Sequence, residues 1–194
     1  MPSNSDISIQ KSALRKLMQN ELRSMDVEEV KAKSEAACLK ILEHPAYKLS
    51  KLIFCYRAMT HEADTEDIIN KAISDGKRIA YPYVLGNSRM VALEPADSDA
   101  WETGVLGLKM PNPARSKLIA PEDLDLVIVP GLAFDVNGGR LGRGAGYYDR
   151  FLKKTGAVRI GFCFSFQVVE QVPLEAHDAL MQSLVTDTIC TKTI

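Results

Sequence analysis

Between Gly138 and Gly146 the chain places five of its twelve glycines around two arginines, Arg140 and Arg143. Tyr147, Tyr148 and Asp149 follow at once. Glycine lets backbone N–H groups approach a ligand with no Cβ in the way. Arginine offers a planar, permanently charged fork that matches phosphate or carboxylate oxygens. Together they point to an anion site. The spacing is not that of the common nucleotide loops. No Gly-Lys-Ser/Thr closes the segment, and Gly142, Gly144 and Gly146 alternate instead of following G-x-G-x-x-G. Val136-Asn-Gly-Gly-Arg140 also carries the Asn-Gly signal of a tight hairpin, so a turn is expected inside the site.

Such a loop needs rigid elements on both sides. Leu124 to Val129 is an apolar run of strand type, and Tyr147 to Lys154 reads as a helix with Gly156 at C′. Strand, glycine loop and helix N-terminus present donors and a positive dipole end to an anion. Upstream, Ser8 is expected to cap a helix running to Met25, with Leu14, Met18, Leu22 and Met25 as its apolar stripe. Lys11 and Arg15 lie four apart beside that stripe, which on composition alone is a solvated basic face. Asp26 and Glu29 open a second helix that reaches Glu43 and stops at His44-Pro45.

Lys51 to Tyr56 and Arg78 to Val84 read as strands around a helix that Asp64 or Thr65 caps and Gly76 closes. Strand–helix–strand predicts a parallel sheet. Ligands bind beyond the carboxyl ends of such strands, where Arg57 and Glu62 fall. Arg89 to Glu94 is a further strand, joined to its predecessor through Gly86-Asn87-Ser88. Residues 95–121 read as a long loop around the single tryptophan. Val158 to Phe164 and Ser183 to Cys190 are the last strands.

A net charge of −1 argues against a general nucleic-acid binder. The four cysteines show no C-x-x-C pair or metal-ligand spacing, so they read as buried thiols in a reducing compartment. No signal peptide or membrane span is evident, which predicts a soluble, cytoplasmic protein.

Pro130-Gly-Leu-Ala-Phe-Asp135, Gly138, Arg140-Leu-Gly-Arg-Gly144 and Gly146-Tyr-Tyr-Asp-Arg150 form one nearly continuous pattern. It resembles the signature of the 5-formyltetrahydrofolate cyclo-ligases, also called 5,10-methenyltetrahydrofolate synthetases. Lys11-Ser-Ala-Leu-Arg15 is similar to the family's Lys-x-x-x-Arg, which contacts ATP phosphates, and Glu62-Ala-Asp-Thr65 to its E-x-x-T, which binds the pterin. His177-Asp178 resembles a family loop, although structural hydrogen bonding is the expected role of that pair. Asp187 falls at the position of an acidic residue that the family associates, with Asp149, with Mg²⁺. One departure is Met110 in Gly107-Leu-Lys-Met-Pro111, where the family often has glutamate, so no catalytic carboxylate is assigned there.

The resemblance implies a single α/β domain over residues 1–194, an open, mostly parallel Rossmann-like sheet with helices on both faces. It implies ATP contacts from Lys11, Arg15, Arg140, Leu141, Gly142, Arg143, Gly144, Ala145, Gly146, Tyr147 and Tyr148. Arg57, Glu62, Arg143, Gly144, Ala145, Gly146 and Tyr147 would meet the folate, with Arg143 and Tyr147 at the catalytic step. Asp149 and Asp187 would hold Mg²⁺. The implied reaction is ATP-dependent closure of 5-formyltetrahydrofolate to 5,10-methenyltetrahydrofolate. A monomer is expected, with ATP and folate as partners and neither nucleic acid nor membrane. Two alternatives stay open from the residues themselves: a non-catalytic folate or nucleotide binder, and an RNA-binding module using the Arg-Gly loop.

Overall fold

The computed structural model describes residues 4–85, 89–97, 99–103 and 109–192. Its centre is an eight-stranded sheet of β1 (Leu52–Phe54), β2 (Arg78–Leu85), β3 (Arg89–Pro95), β6 (Ser116–Ile119), β7 (Leu126–Val129), β10 (Val158–Phe162), β11 (Ser183–Val185) and β12 (Cys190–Lys192). The spatial order is β12-β11-β10-β7-β1-β2-β3-β6. The five strands from β11 to β2 are parallel. Antiparallel strands finish both edges. Strand β7 is buried at every residue, as a strand covered on both faces must be.

One face carries α1 (Asn4–Ser24), α2 (Val27–Glu43) and α4 (Glu66–Ser74). Met18 and Leu22 of α1 pack with Ile41 of α2, Ile68 of α4 and Ile53, Ile128 and Phe162 of the sheet. Each such buried side chain contributes about 1.5–3 kcal/mol, which holds α1 and therefore the positions of Lys11 and Arg15. The opposite face carries α5 (Tyr147–Leu152) and the hairpin of β8 (Ala133–Phe134) and β9 (Arg140–Leu141). Phe134, Phe151 and Leu152 cover Phe54, Val127 and Val129 there. Phe134 fits only because two glycines make room: a Cβ on Gly131 or Gly161 would lie 2.6 or 2.7 Å from its ring.

Several expectations change in detail. Ser8 lies inside α1, not at its start. Asp26 does cap α2, accepting from the Glu29 amide at 2.7 Å. A short helix α3 (Pro45–Leu49) follows, capped by His44 Nδ1, which accepts from the Ala46 amide at 3.1 Å. The segment 95–121 is not structureless: it contains β6 and the hairpin β4 (Trp101–Thr103)–β5 (Lys109–Pro111). Helix α5 ends at Leu152, and Gly156 has no positive φ. The run from Ser183 to Cys190 is two strands, β11 and β12, with a turn between them. Cys190 is exposed, and the other three thiols are buried. The turn expected at Gly86-Asn87-Ser88, and Gly107 and Leu108 of the family-like segment, lie outside the described residues. No helix among the described residues is long and apolar enough to cross a membrane.

Candidate active site at the carboxyl edge of the sheet

The chain leaves β1 for β2 on one side, and later leaves β7 for β10 on the other. The strand order therefore reverses between neighbours β1 and β7, the point at which α/β sheets open a ligand crevice. A cleft of about 880 Å³ lies there, lined by Tyr56 to Thr60 and Glu62 after β1, Pro130 and Gly131 after β7, and Arg140 to Asp149. Its size suits one large ligand or two moderate ones.

The glycine loop is held from below. Asp135 is buried and its carboxylate accepts three amides, from Asn137, Gly139 and Val172, at 2.8–2.9 Å. Gly138 adopts φ 93°, and a Cβ there would lie 2.5 Å from the Met181 carbonyl oxygen. From α1, Arg15 Nε donates to the Gly142 carbonyl at 3.0 Å. Gly144 and Gly146 take φ 109° and 67°, which only glycine adopts without strain. Gly146 leads into α5, which has six residues. So short a helix has little dipole, and the charge in the loop must come from its side chains and those of α1.

Those side chains are already engaged. Arg143 Nη2 and Nε donate to Glu62 Oε1 at 2.8 and 3.2 Å, while Glu62 Oε2 accepts the Met59 amide at 3.0 Å. Lys11 is buried, with Nζ 2.7 Å from Glu175 and 2.6 Å from Asp178. Burial alone would lower the proton affinity of Lys11, but the Asp178 and Glu175 carboxylates outweigh it and raise the pKa. Arg140 is also buried: Nη2 donates to Asp149 Oδ1 at 2.7 Å and Nη1 to the Pro130 carbonyl at 3.2 Å. It lines the cleft without offering a free fork, which departs from the expectation of a direct phosphate contact. Arg57 lies 5.0 Å over the Trp101 ring and 3.8 Å from Glu66.

Tyr147 is partly buried at the cleft, with the Arg150 guanidinium 5.7 Å from its ring centroid. Tyr148 stacks beneath Arg140 at 5.6 Å and near Phe54 at 6.3 Å. Its hydroxyl is buried with no partner among the described residues. Burial pushes that phenol well above its ordinary value, so it stays a neutral donor.

The expected metal pair does not come together. Asp149 lines the cleft, but Asp187 sits in the turn between β11 and β12. Its two oxygens accept the Ser165 amide at 2.6 Å and hydroxyl at 2.9 Å, and Lys40 Nζ donates to its carbonyl. Besides Glu62, the carboxylates that join Asp149 at the cleft are Glu175 and Asp178. With His177 they bring ligand atoms within 4.8 Å of one another. Asp149 Oδ1 lies 3.5 Å from the Ala179 amide, beside Asp178. The signal for this group was Glu-x-His-Asp within four residues. Also missed was the apolar end of the cleft, Tyr81, Pro82, Met90, Trp101 and Met110. A thioether, not a carboxylate, therefore faces the cleft from β5.

An α/β fold with cations, carboxylates and an apolar end in one cleft at its switch point has the parts of a ligand-binding enzyme site. The sequence profile of the 5-formyltetrahydrofolate cyclo-ligase family matches residues 7–187, and the chain belongs to that family. It is 31% identical over 185 residues to the mouse 5-formyltetrahydrofolate cyclo-ligase, covering 87% of this chain and 89% of the mouse protein. Its fold superposes on the Aquifex aeolicus 5,10-methenyltetrahydrofolate synthetase with a TM-score of 0.84 and 31% identity, over 94% of this chain and 92% of that one. The Mycoplasma pneumoniae synthetase shares the fold at 20% identity, with a TM-score of 0.75 over 91% and 98% of the two chains.

Proposed function

We propose that the protein is an enzyme that converts 5-formyltetrahydrofolate and ATP to 5,10-methenyltetrahydrofolate, ADP and phosphate. The observation that carries this is the meeting of Glu62, from the loop after β1, with Arg143, from the glycine loop, across one cleft. Both reactants then share a site, as a direct phosphoryl transfer between them requires.

The formyl oxygen on N5 attacks the γ-phosphorus, and ADP leaves. N10 attacks the activated carbon, the C–O bond breaks with loss of phosphate, N10 gives up its proton, and the methenyl bridge remains. The protein supplies position and charge more than covalent chemistry. Arg15, Arg143 and the backbone amides of Gly142 to Gly146 surround the phosphates, with Lys11 securing the acidic loop beside them. Glu62, Arg57, Tyr147 and the apolar end around Tyr81 and Trp101 take the folate. Tyr148 supports the loop from below.

Mg²⁺, which the family implies, fits the donor set: Asp149, Glu175 and Asp178 are hard oxygen ligands facing one cleft. When bound it would neutralise phosphate charge. Three buried thiols support a reducing compartment such as the cytoplasm. RNA binding through the Arg-Gly loop is not favoured, because Arg140 is buried against Asp149 and its charge is not offered to a phosphate backbone. The test is an assay of methenyl product with purified protein, 5-formyltetrahydrofolate, ATP and Mg²⁺. Product that forms without nucleotide, or none with it, overturns the reading.

A further inference from the structure

We infer that Arg140 is a positioning residue: it fixes the Asp149 carboxylate for a divalent cation and does not itself touch the nucleotide. The inference rests on the Mg²⁺–ATP reading above.

The Arg140 side chain is 3% exposed, against 45% for Arg143 in the same loop. Its contacts run into the protein. One Nη holds the Pro130 carbonyl at the end of β7, and the other holds Asp149 Oδ1 in the first turn of α5. The guanidinium faces the Tyr148 ring. Glycines shape the space around it: a Cβ on Gly142 would lie 2.9 Å from Nη1, and one on Gly131 3.2 Å from Cγ. The arrangement explains why arginine stands here. Two acceptors on different elements need two separated donors, and the slot over Tyr148 needs a flat cation. Nε is buried with no partner among the described residues. A cation this deep requires a counter-charge, and Asp149 is the carboxylate it contacts.

The effect on Asp149 is specific. Oδ1 is taken by Arg140, while Oδ2 has no hydrogen-bond partner among the described residues. Asp149 is thus held by one oxygen and presents the other from a fixed position. That is how a neighbouring group orients a metal-binding carboxylate. With each Nη bonded to a protein acceptor and 3% of the side chain exposed, Arg140 offers a phosphate little surface. Arg143, half-exposed on the same loop, lines the cleft.

The experiment measures ATP binding by calorimetry, in EDTA and across a Mg²⁺ titration, for the wild type, Arg140→Lys and Arg140→Gln. Both variants are expected to bind metal-free ATP within about twofold of wild type, while the Mg²⁺ needed for the high-affinity complex rises about 10- to 100-fold. In an Asp149→Asn background, Arg140→Lys should add less than about twofold, because the two changes act through one group. A tenfold loss, in round terms about 1.4 kcal/mol, of metal-free ATP affinity would show direct phosphate contact and overturn the inference. An unchanged Mg²⁺ requirement in folded variants would reduce Arg140 to packing and also overturn it. If neither variant folds, the Arg140 Nε–H resonance of the wild type decides. It should move when Mg²⁺ joins the nucleotide complex and stay in place with metal-free ATP; movement with metal-free ATP overturns the inference. A wild type with no Mg²⁺-dependent nucleotide binding fails the Mg²⁺–ATP reading and this inference together. A normal wild-type response with unresponsive variants fails this inference alone.

Discussion

Glu62 and Arg143 hold each other across the cleft, with Arg143 Nη2 2.8 Å and Nε 3.2 Å from one carboxylate oxygen. They come from the two loops that would receive the two reactants. A pterin edge that donates to Glu62 competes with Arg143 for the same oxygen. On the proposed function, folate entry is expected to release the arginine toward the phosphates. Glu62→Ala should weaken folate binding by about 1.5–3 kcal/mol, the value of hydrogen bonds to a charged group. ATP binding should stay the same or tighten slightly, since Arg143 is freed. Glu62→Gln should restore part of the folate affinity. Titration of both ligands against both variants checks this, and equal losses for ATP and folate would remove the pterin role.

Arg143→Lys keeps a positive charge and loses the fork. The side chain is half-exposed, so the melting temperature should not move. Turnover should fall about 10²-fold, the scale for losing a donor aimed at transition-state charge. Steady-state kinetics together with a thermal scan separate the two effects. Wild-type turnover would place Arg143 outside the reaction.

Asp149 and Asp187 should separate cleanly. Asp149→Asn is expected to raise the Mg²⁺ concentration for half-maximal rate about tenfold or more. Asp187→Asn should leave that concentration unchanged. It should instead cost about 1–2 kcal/mol of stability, because its oxygens serve the Ser165 amide and hydroxyl. A Mg²⁺ titration of rate and a urea melt of each variant give the answer. The reverse pattern would return Asp187 to the metal site.

The Lys11–Asp178 pair sets a pH window. Burial alone would raise the Asp178 pKa, but the Glu175 amide and the Lys11 ammonium outweigh it and hold it below its ordinary 3.8. Its contribution to stability is therefore full above that value and fades as pH falls through the lower folded one. Lys11 is raised above 10.5, so its contribution is full below that value and fades as pH rises past the higher folded one. The pair is charged throughout the neutral range. The melting-temperature gap between wild type and Asp178→Asn should be open in the neutral range and narrow below about pH 3. A gap that changes near neutrality would mean that another group titrates with the pair.

Most strands of the central sheet were legible because each has a local signature, whereas β6 was read as loop and β11 and β12 as one strand. The run Leu126-Val-Ile-Val129 and the Asp26 cap are decided by their own residues. The glycine loop was legible for the same reason, since Gly138, Gly144 and Gly146 are required by backbone angles. What the chain does not reveal locally is pairing. Nothing in Arg140 itself says that Asp149 and Pro130 use its donors, or that Arg143 meets Glu62 across 81 positions of sequence. Asp187 was expected at the metal site from the family resemblance alone, and a strand pattern runs straight through it in the sequence. The turn there is fixed by Thr186 Oγ1, which accepts the Thr188 and Ile189 amides, an arrangement that competes with strand only once β12 has β11 to pair with.

Lys11 grips Asp178 across 167 positions of sequence. During synthesis on a ribosome, one partner of that bond emerges 167 residues after the other. A nascent chain stalled at β7 has built the loop of Arg57 and Glu62, yet has neither glycine loop nor acidic loop to face it. Domains generally mature as units, and here the dependence is built into the contacts themselves. A chain that has not yet reached the Glu175–Asp178 loop therefore leaves Lys11 without its carboxylates and one wall of the cleft unbuilt.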